Sequence, residues 1–198
     1  MSVLALTTVD RAIAYLGDLE STRWGDAQKA VLSSIINAVS QEFEQYCSHG
    51  FKLEAWTEKR TIQTDFLWCY RWPVVSIASV SVSFSGRSAD LSPLASSSYE
   101  VAPNGKGIMV FDVAPGSLVS YTYTGGLAAD TAGIMSDHPN LEDCCLLQTV
   151  EEWKRHNNPG KTSIELGTGS TQWNAGLQLL DIVKQRLRQE YVAQADFL

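Results

Sequence analysis

From Val9 onward the apolar positions recur at helical spacing, first as Val9, Ile13 and Leu16. Thr7 or Thr8 is placed to cap this short helix and Gly17 to end it. After a polar turn, Asp26 opens a stronger helix in which Leu32, Ile35, Ile36, Val39, Phe43 and Tyr46 trace one stripe, closed at Gly50. From Phe51 the period changes. In EKRTIQTDFLWCYRWPVVSIASVSVSF the β-branched and aromatic residues, with alternating Val80, Val82 and Phe84, predict strands, and Pro73 marks a strand start or edge.

A Ser-rich loop, SGRSADLSPLASSS, separates these strands from a predicted hairpin whose arms are Tyr99 to Val101 and Ile108 to Val113. Leu118 to Thr124 alternates Val119, Tyr121 and Tyr123 with Ser120, Thr122 and Thr124, which predicts a strand packed on one face, stopped by Gly125 and Gly126. Helical spacing returns after Pro139 with Leu141, Cys144, Leu147, Val150 and Trp153, and Asp143 is placed to complete a cap. NNPGKTSIELGTGSTQWNAG has no sustained period and reads as a long exposed loop. Leu180, Val183, Leu187 and Tyr191 form the stripe of a last helix before a short tail. The pattern predicts an α+β protein: a small helical bundle from residues 1–50 and 127–198, with a β-rich, sandwich-like insertion over 51–126.

Composition narrows the function classes. At 198 residues, 44% apolar and 19% charged, the chain has the make-up of an ordinary globular protein, with no apolar run of membrane-spanning length. The N-terminal segment lacks the basic region and apolar stretch of a secretory signal, so export is not expected. A formal charge of −7 opposes stable binding to a phosphate backbone. Cys47, Cys69, Cys144 and Cys145 form no C-x-x-C pair and have no histidine at zinc-finger spacing, which suits core thiols rather than a metal site.

The remaining chemistry is sparse, and neither cofactor, metal nor catalytic residues are expected. GKTS at Gly160 to Ser163 lacks the first glycine of a phosphate-binding loop, since Arg155 stands there. His49, His138 and His156 fall at predicted helix ends, where carbonyl bonding or solvation accounts for them. The pairs Glu142-Asp143 and Glu151-Glu152 read as solvated helix faces. Trp56, Trp68 and Trp72 cluster in the strand block, where they suit core packing, subunit contacts or stacking on sugars.

The order of AIAYLG, QEFEQYCSHGF, RWPVVSIASVSV, YEVAPNGKGIMVF, LVSYTYTGG and HPNLEDCCLLQTVEEWKRH resembles that of the head-tail connector, or adaptor, proteins of tailed bacteriophages. The resemblance covers nearly the whole chain. It implies a virion structural protein, assembled in the host cytoplasm, that forms a ring of commonly twelve copies beneath the portal and extends the DNA channel. Implied partners are other copies of itself, the portal, and a stopper, tail terminator or other neck protein; DNA passes without specific binding, and no membrane is involved. A portal-docking role for the C-terminal helix and tail maps onto Lys184, Arg186, Leu187, Arg188, Tyr191, Phe197 and Leu198. The 157–175 loop, with Lys161, Thr162, Ile164, Glu165 and Trp173, is expected to face the lumen or a neighbouring ring. Two rival readings stand beside it: a carbohydrate-binding or adhesin-like β module using the tryptophans, and a phage-associated enzyme.

Overall fold

Thr8 caps the first helix, α1 (Val9–Tyr15), by accepting from the Arg11 N–H at 3.3 Å, and Gly17, at φ 86°, follows its end. The structure, a computed structural model, describes residues 3–17, 24–157, 163–166, 169–172 and 178–192. The chain folds as two compact units, one made of Met1–Cys47 with Thr131–Leu198, the other of Ser48–Asp130. It is an α+β protein in which helices flank a β-rich middle.

In the helical unit, α2 (Asp26–Cys47) buries Leu32, Ile36, Val39 and Phe43 of the predicted stripe together with Cys47, leaves Ile35 and Tyr46 half-buried, and ends before Ser48 at φ 48° rather than at Gly50. In the β unit the strands are β1 (Glu54–Thr61), β2 (Phe66–Trp68), β3 (Val74–Ser83), β4 (Ser92–Pro93), β5 (Tyr99–Val101), β6 (Gly107–Val110) and β7 (Leu118–Gly125). They form an antiparallel sheet in the order β1-β7-β3-β4 and a second in the order β2-β6-β5. Val80, Val82, Val119, Tyr121 and Tyr123 of the first sheet share a core with Leu67, Ile108 and Val110 of the second, which makes the unit a sandwich.

The glycines that end β7 also serve close packing. A Cβ on Gly125 would lie 2.4 Å from the Arg71 carbonyl oxygen. One on Gly126, which sits at φ 127°, would lie 2.3 Å from that of Lys52.

The helical unit resumes with a short helix that the sequence pattern did not reveal, α3 (Thr131–Asp137), and then α4 (Pro139–Asn157) with Pro139 at its first position. Leu141, Cys144 and Trp153 of α4 are buried as predicted. The 157–175 stretch is not entirely loop: β8 (Ser163–Leu166) and β9 (Gly169–Gln172) pair antiparallel, Ser163 with Gln172 through Leu166 with Gly169. Its Gly-rich composition hid two short strands. The last helix, α5 (Asp181–Glu190), packs on α4 and α2.

Candidate docking surface

Burial sorts the C-terminal residues into anchors and surface. Val183 and Leu187 are fully buried and Tyr191 nearly so, so the apolar stripe of α5 holds the helix to its own unit. Burial also raises the Tyr191 phenol above its ordinary range, helped by neighbouring Glu190. The start of α5 is fixed by Gln148 of α4, a buried amide that accepts from the Leu180 N–H at 2.9 Å and donates to the Gln178 carbonyl at 3.0 Å. A buried glutamine bridging two helices leaves no signature in the sequence.

Lys184, Arg186 and Arg188 lie toward solvent. Arg186 pairs with Asp143 of α4 at 2.5 Å, and that bond raises its pKa. Lys184 bonds Asp181 at 3.3 Å, and the Arg188 guanidinium lies 5.8 Å from the Tyr46 ring centroid. Ile182 is exposed beside them. Phe197 and Leu198 lie outside the described residues, as do Lys161, Thr162 and Trp173. Ile164 and Glu165 fall in β8.

Among the acids, Glu142 departs from the solvated helix face expected of it. It is buried and accepts from Arg11 Nε at 2.9 Å, Arg11 Nη2 at 3.1 Å and the Thr7 hydroxyl at 3.2 Å, tying α1 to α4. Glu152 is half-buried beside Arg155 and Gln148, and desolvation raises its pKa. The net charge is unevenly placed: seven acids meet six bases in Ser48–Asp130, so nearly all of the −7 belongs to the helical unit.

In the β unit the tryptophans serve internal packing. Trp72 stacks on His49 with centroids 3.9 Å apart, and the buried His49 Nε2 stands 2.6 Å from the Trp72 carbonyl oxygen. His49 therefore bonds a carbonyl of the β unit from within the core, not of the helix it follows. Trp56 lies beneath the Arg71 guanidinium at 4.8 Å, and Trp68 meets Phe66 edge to face. Arg71 is buried, with Nη1 donating to the Lys52 carbonyl at 2.7 Å and Nη2 paired with Glu54 at 2.8 Å.

Beside it the Glu58 carboxylate, on the inner face of β1, collects donors from three elements. Oε1 accepts from the Tyr123 hydroxyl at 2.5 Å and the Tyr70 N–H at 2.7 Å. Oε2 accepts from Arg60 at 2.9 Å and from the Tyr121 hydroxyl at 3.3 Å. Burial, reinforced by this carboxylate, pushes both phenols well above their usual range, so they stay protonated as donors.

Reactive chemistry is scarce among the described residues, where no group of three or more His, Cys, Asp or Glu is placed to hold a metal ion. The four thiols are free and buried, and desolvation raises Cys47, Cys69 and Cys145 to about 12. No described helix is long and apolar enough to cross a membrane.

Comparison with solved structures supplies what local chemistry does not. The fold matches a chain in the virion of a native gene transfer agent particle, with a TM-score of 0.63 at 13% identity over 98% of this chain and 93% of that one. The fold is shared with chains of gene transfer agent particles. It also matches a chain in the neck of the empty particle, computed with C6 symmetry, at TM-score 0.59 and 15% identity over 83% and 86% of the two chains. A chain in the neck of the native particle, computed with C12 symmetry, gives 0.52 and 14% over 90% and 100%. No protein-family model matches the chain, and no curated protein does.

Proposed function

We infer that this chain is a structural virion protein of the head-tail neck: an adaptor that forms a ring under the portal, extends the DNA channel and offers a platform for further neck or tail proteins. The observation that carries this reading is the near end-to-end fold likeness to a gene transfer agent virion chain, joined by likeness to chains of that particle's neck. The C12 symmetry used for one of those necks supports a ring of twelve copies. The role is architectural rather than enzymatic, and a sugar-binding strip is disfavoured because Trp56, Trp68 and Trp72 engage internal partners.

Portal docking falls to the solvent side of α5, with Lys184, Arg186, Arg188 and exposed Ile182 presented by a helix that Leu187 and Tyr191 anchor. The acidic helical unit suits a channel wall that repels DNA and lets it slide. Native mass spectrometry and negative-stain imaging, with and without a portal ring, test the reading. The expected outcome is a ring alone or on the portal, with docking weakened at least tenfold by reversing Lys184 and Arg188 to glutamate. A chain that stays monomeric and never binds a portal overturns it.

A further inference from the structure

Among the described residues, two sets of backbone groups lack partners in their own sheets. Strand β1 is the outer strand of its sheet and, among the described residues, pairs with β7 alone. The Ile62 N–H donates to the Ser117 carbonyl at 2.9 Å in the same register, so alternate residues Glu54, Trp56, Glu58 and Arg60 direct their backbone groups to β7. Ala55, Thr57, Lys59 and Thr61 therefore direct theirs away from the sheet, and all four residues are exposed. Such an edge is a template for another strand. Its inner face is held by Glu58, so β1 is a firm edge rather than a fraying one.

The second set belongs to β8 and β9, which among the described residues pair with each other alone. A two-stranded ladder is marginal in water and gains from a third strand. Within the chain, β1 and the hairpin belong to separate sheets. A four-residue strand spans about 13 Å and the open stretch of β1 about 20 Å, so the whole of β8 fits along it. Lys59 is the one charge among the four outward-directed residues, and Glu165 the one charge in β8 and β9.

We propose that the β8–β9 hairpin of one copy adds to the free edge of β1 in a neighbouring copy, with β8 next to β1. The contact is heterologous, since it joins different surfaces on the two copies, and so it propagates around a closed ring instead of ending at a dimer. It rests on the ring reading for the meeting of copies, and adds to it which strands they exchange.

Hydrogen exchange on the full chain, free and in the assembled ring, tests this. Assembly is expected to slow exchange at least tenfold in peptides covering 54–61 and 163–172. Lys59→Pro removes one outward N–H while leaving the β7 ladder intact, and is expected to weaken assembly at least tenfold with the monomer's melting temperature nearly unchanged. Should proline disturb the fold, Lys59→Glu is expected to give the same loss, and Glu165→Lys in the same chain to restore assembly. Rings that form with β1 still exchanging freely, or that ignore both Lys59 variants, overturn the strand exchange and leave the ring standing. Protection of β1 that survives Ile164→Pro assigns the edge to a different strand and also overturns it. A chain that forms no ring, alone or on a portal, overturns both readings.

Discussion

Replacing Glu58 by alanine is the most informative perturbation of the β unit, because one carboxylate serves donors on three elements. The substitution removes the acceptor that the Tyr70 N–H and the Tyr123 hydroxyl share in Oε1. The Tyr121 proton keeps the Trp68 carbonyl at 3.0 Å, and the Arg60 guanidinium, close to half exposed, turns to water. Each stranded buried donor costs about 1–3 kcal/mol. Against that stands the relief of a largely desolvated carboxylate and the entry of water at the sandwich rim, so the net loss settles at about 2–3 kcal/mol.

Related variants follow from the same geometry. Glu58→Gln keeps a carbonyl oxygen for Tyr70 and Tyr123 and turns its amide toward Arg60 and Tyr121, for a loss of about 1 kcal/mol. Tyr123→Phe leaves the buried Arg71 N–H, which donates to that hydroxyl at 3.0 Å, without an acceptor, and costs about 2 kcal/mol. Urea unfolding followed by tryptophan fluorescence reads the order Glu58→Ala, then Tyr123→Phe, then Glu58→Gln, at constant m-value. An alanine variant within about 0.5 kcal/mol of wild type, or a glutamine variant as unstable as the alanine one, would refute the assignment of Glu58 as the acceptor that holds β1.

Three further outcomes are expected. Gly126→Ala forces a side chain into left-handed backbone and onto the Lys52 carbonyl, and should lower stability by at least about 2 kcal/mol in a thermal melt. Gln148→Ala strips the start of α5 of both its amide bonds, so hydrogen exchange should rise selectively over 178–190 while the β unit stays protected. The thiols give a pH dependence. The folded pKa of Cys47, Cys69 and Cys145, about 12, exceeds the ordinary value near 9, so the folded state holds these protons longer than the unfolded one. Stability from this source is complete below pH 9 and falls between pH 9 and 12, and native thiols should resist alkylation at pH 8 yet react once the chain is unfolded in urea.

What the sequence discloses and what it hides divide along physical lines. Periodicity reports burial, so the stripe of α2 and the inward Val119, Tyr121 and Tyr123 of β7 are legible without a structure. It is silent on partners. Glu142 and Glu58 look like ordinary surface acids by spacing, and only the approach of Thr7 and Arg11 in one case, and of two tyrosines and a loop N–H in the other, makes them structural. Periodicity also fails in short elements: α3 has too few turns to repeat, and β8 and β9 are disguised by glycine and threonine.

The same division explains why the site resists a reading by motif. A catalytic centre concentrates unusual residues in a recognisable spacing, whereas a surface built to meet other copies is made from common residues left in uncommon places. On the ring reading those places are half-exposed Lys184 and Arg186 with exposed Arg188 on a helix with a buried stripe, and a strand edge whose outward N–H groups, among the described residues, face no partner in their own sheet. Glu58 joins the two levels. Glu58 holds β1 from its inner face, so if copies join through that edge, loss of its acceptor weakens assembly as well as folding, and assembly fails at urea concentrations where the helical unit is still intact.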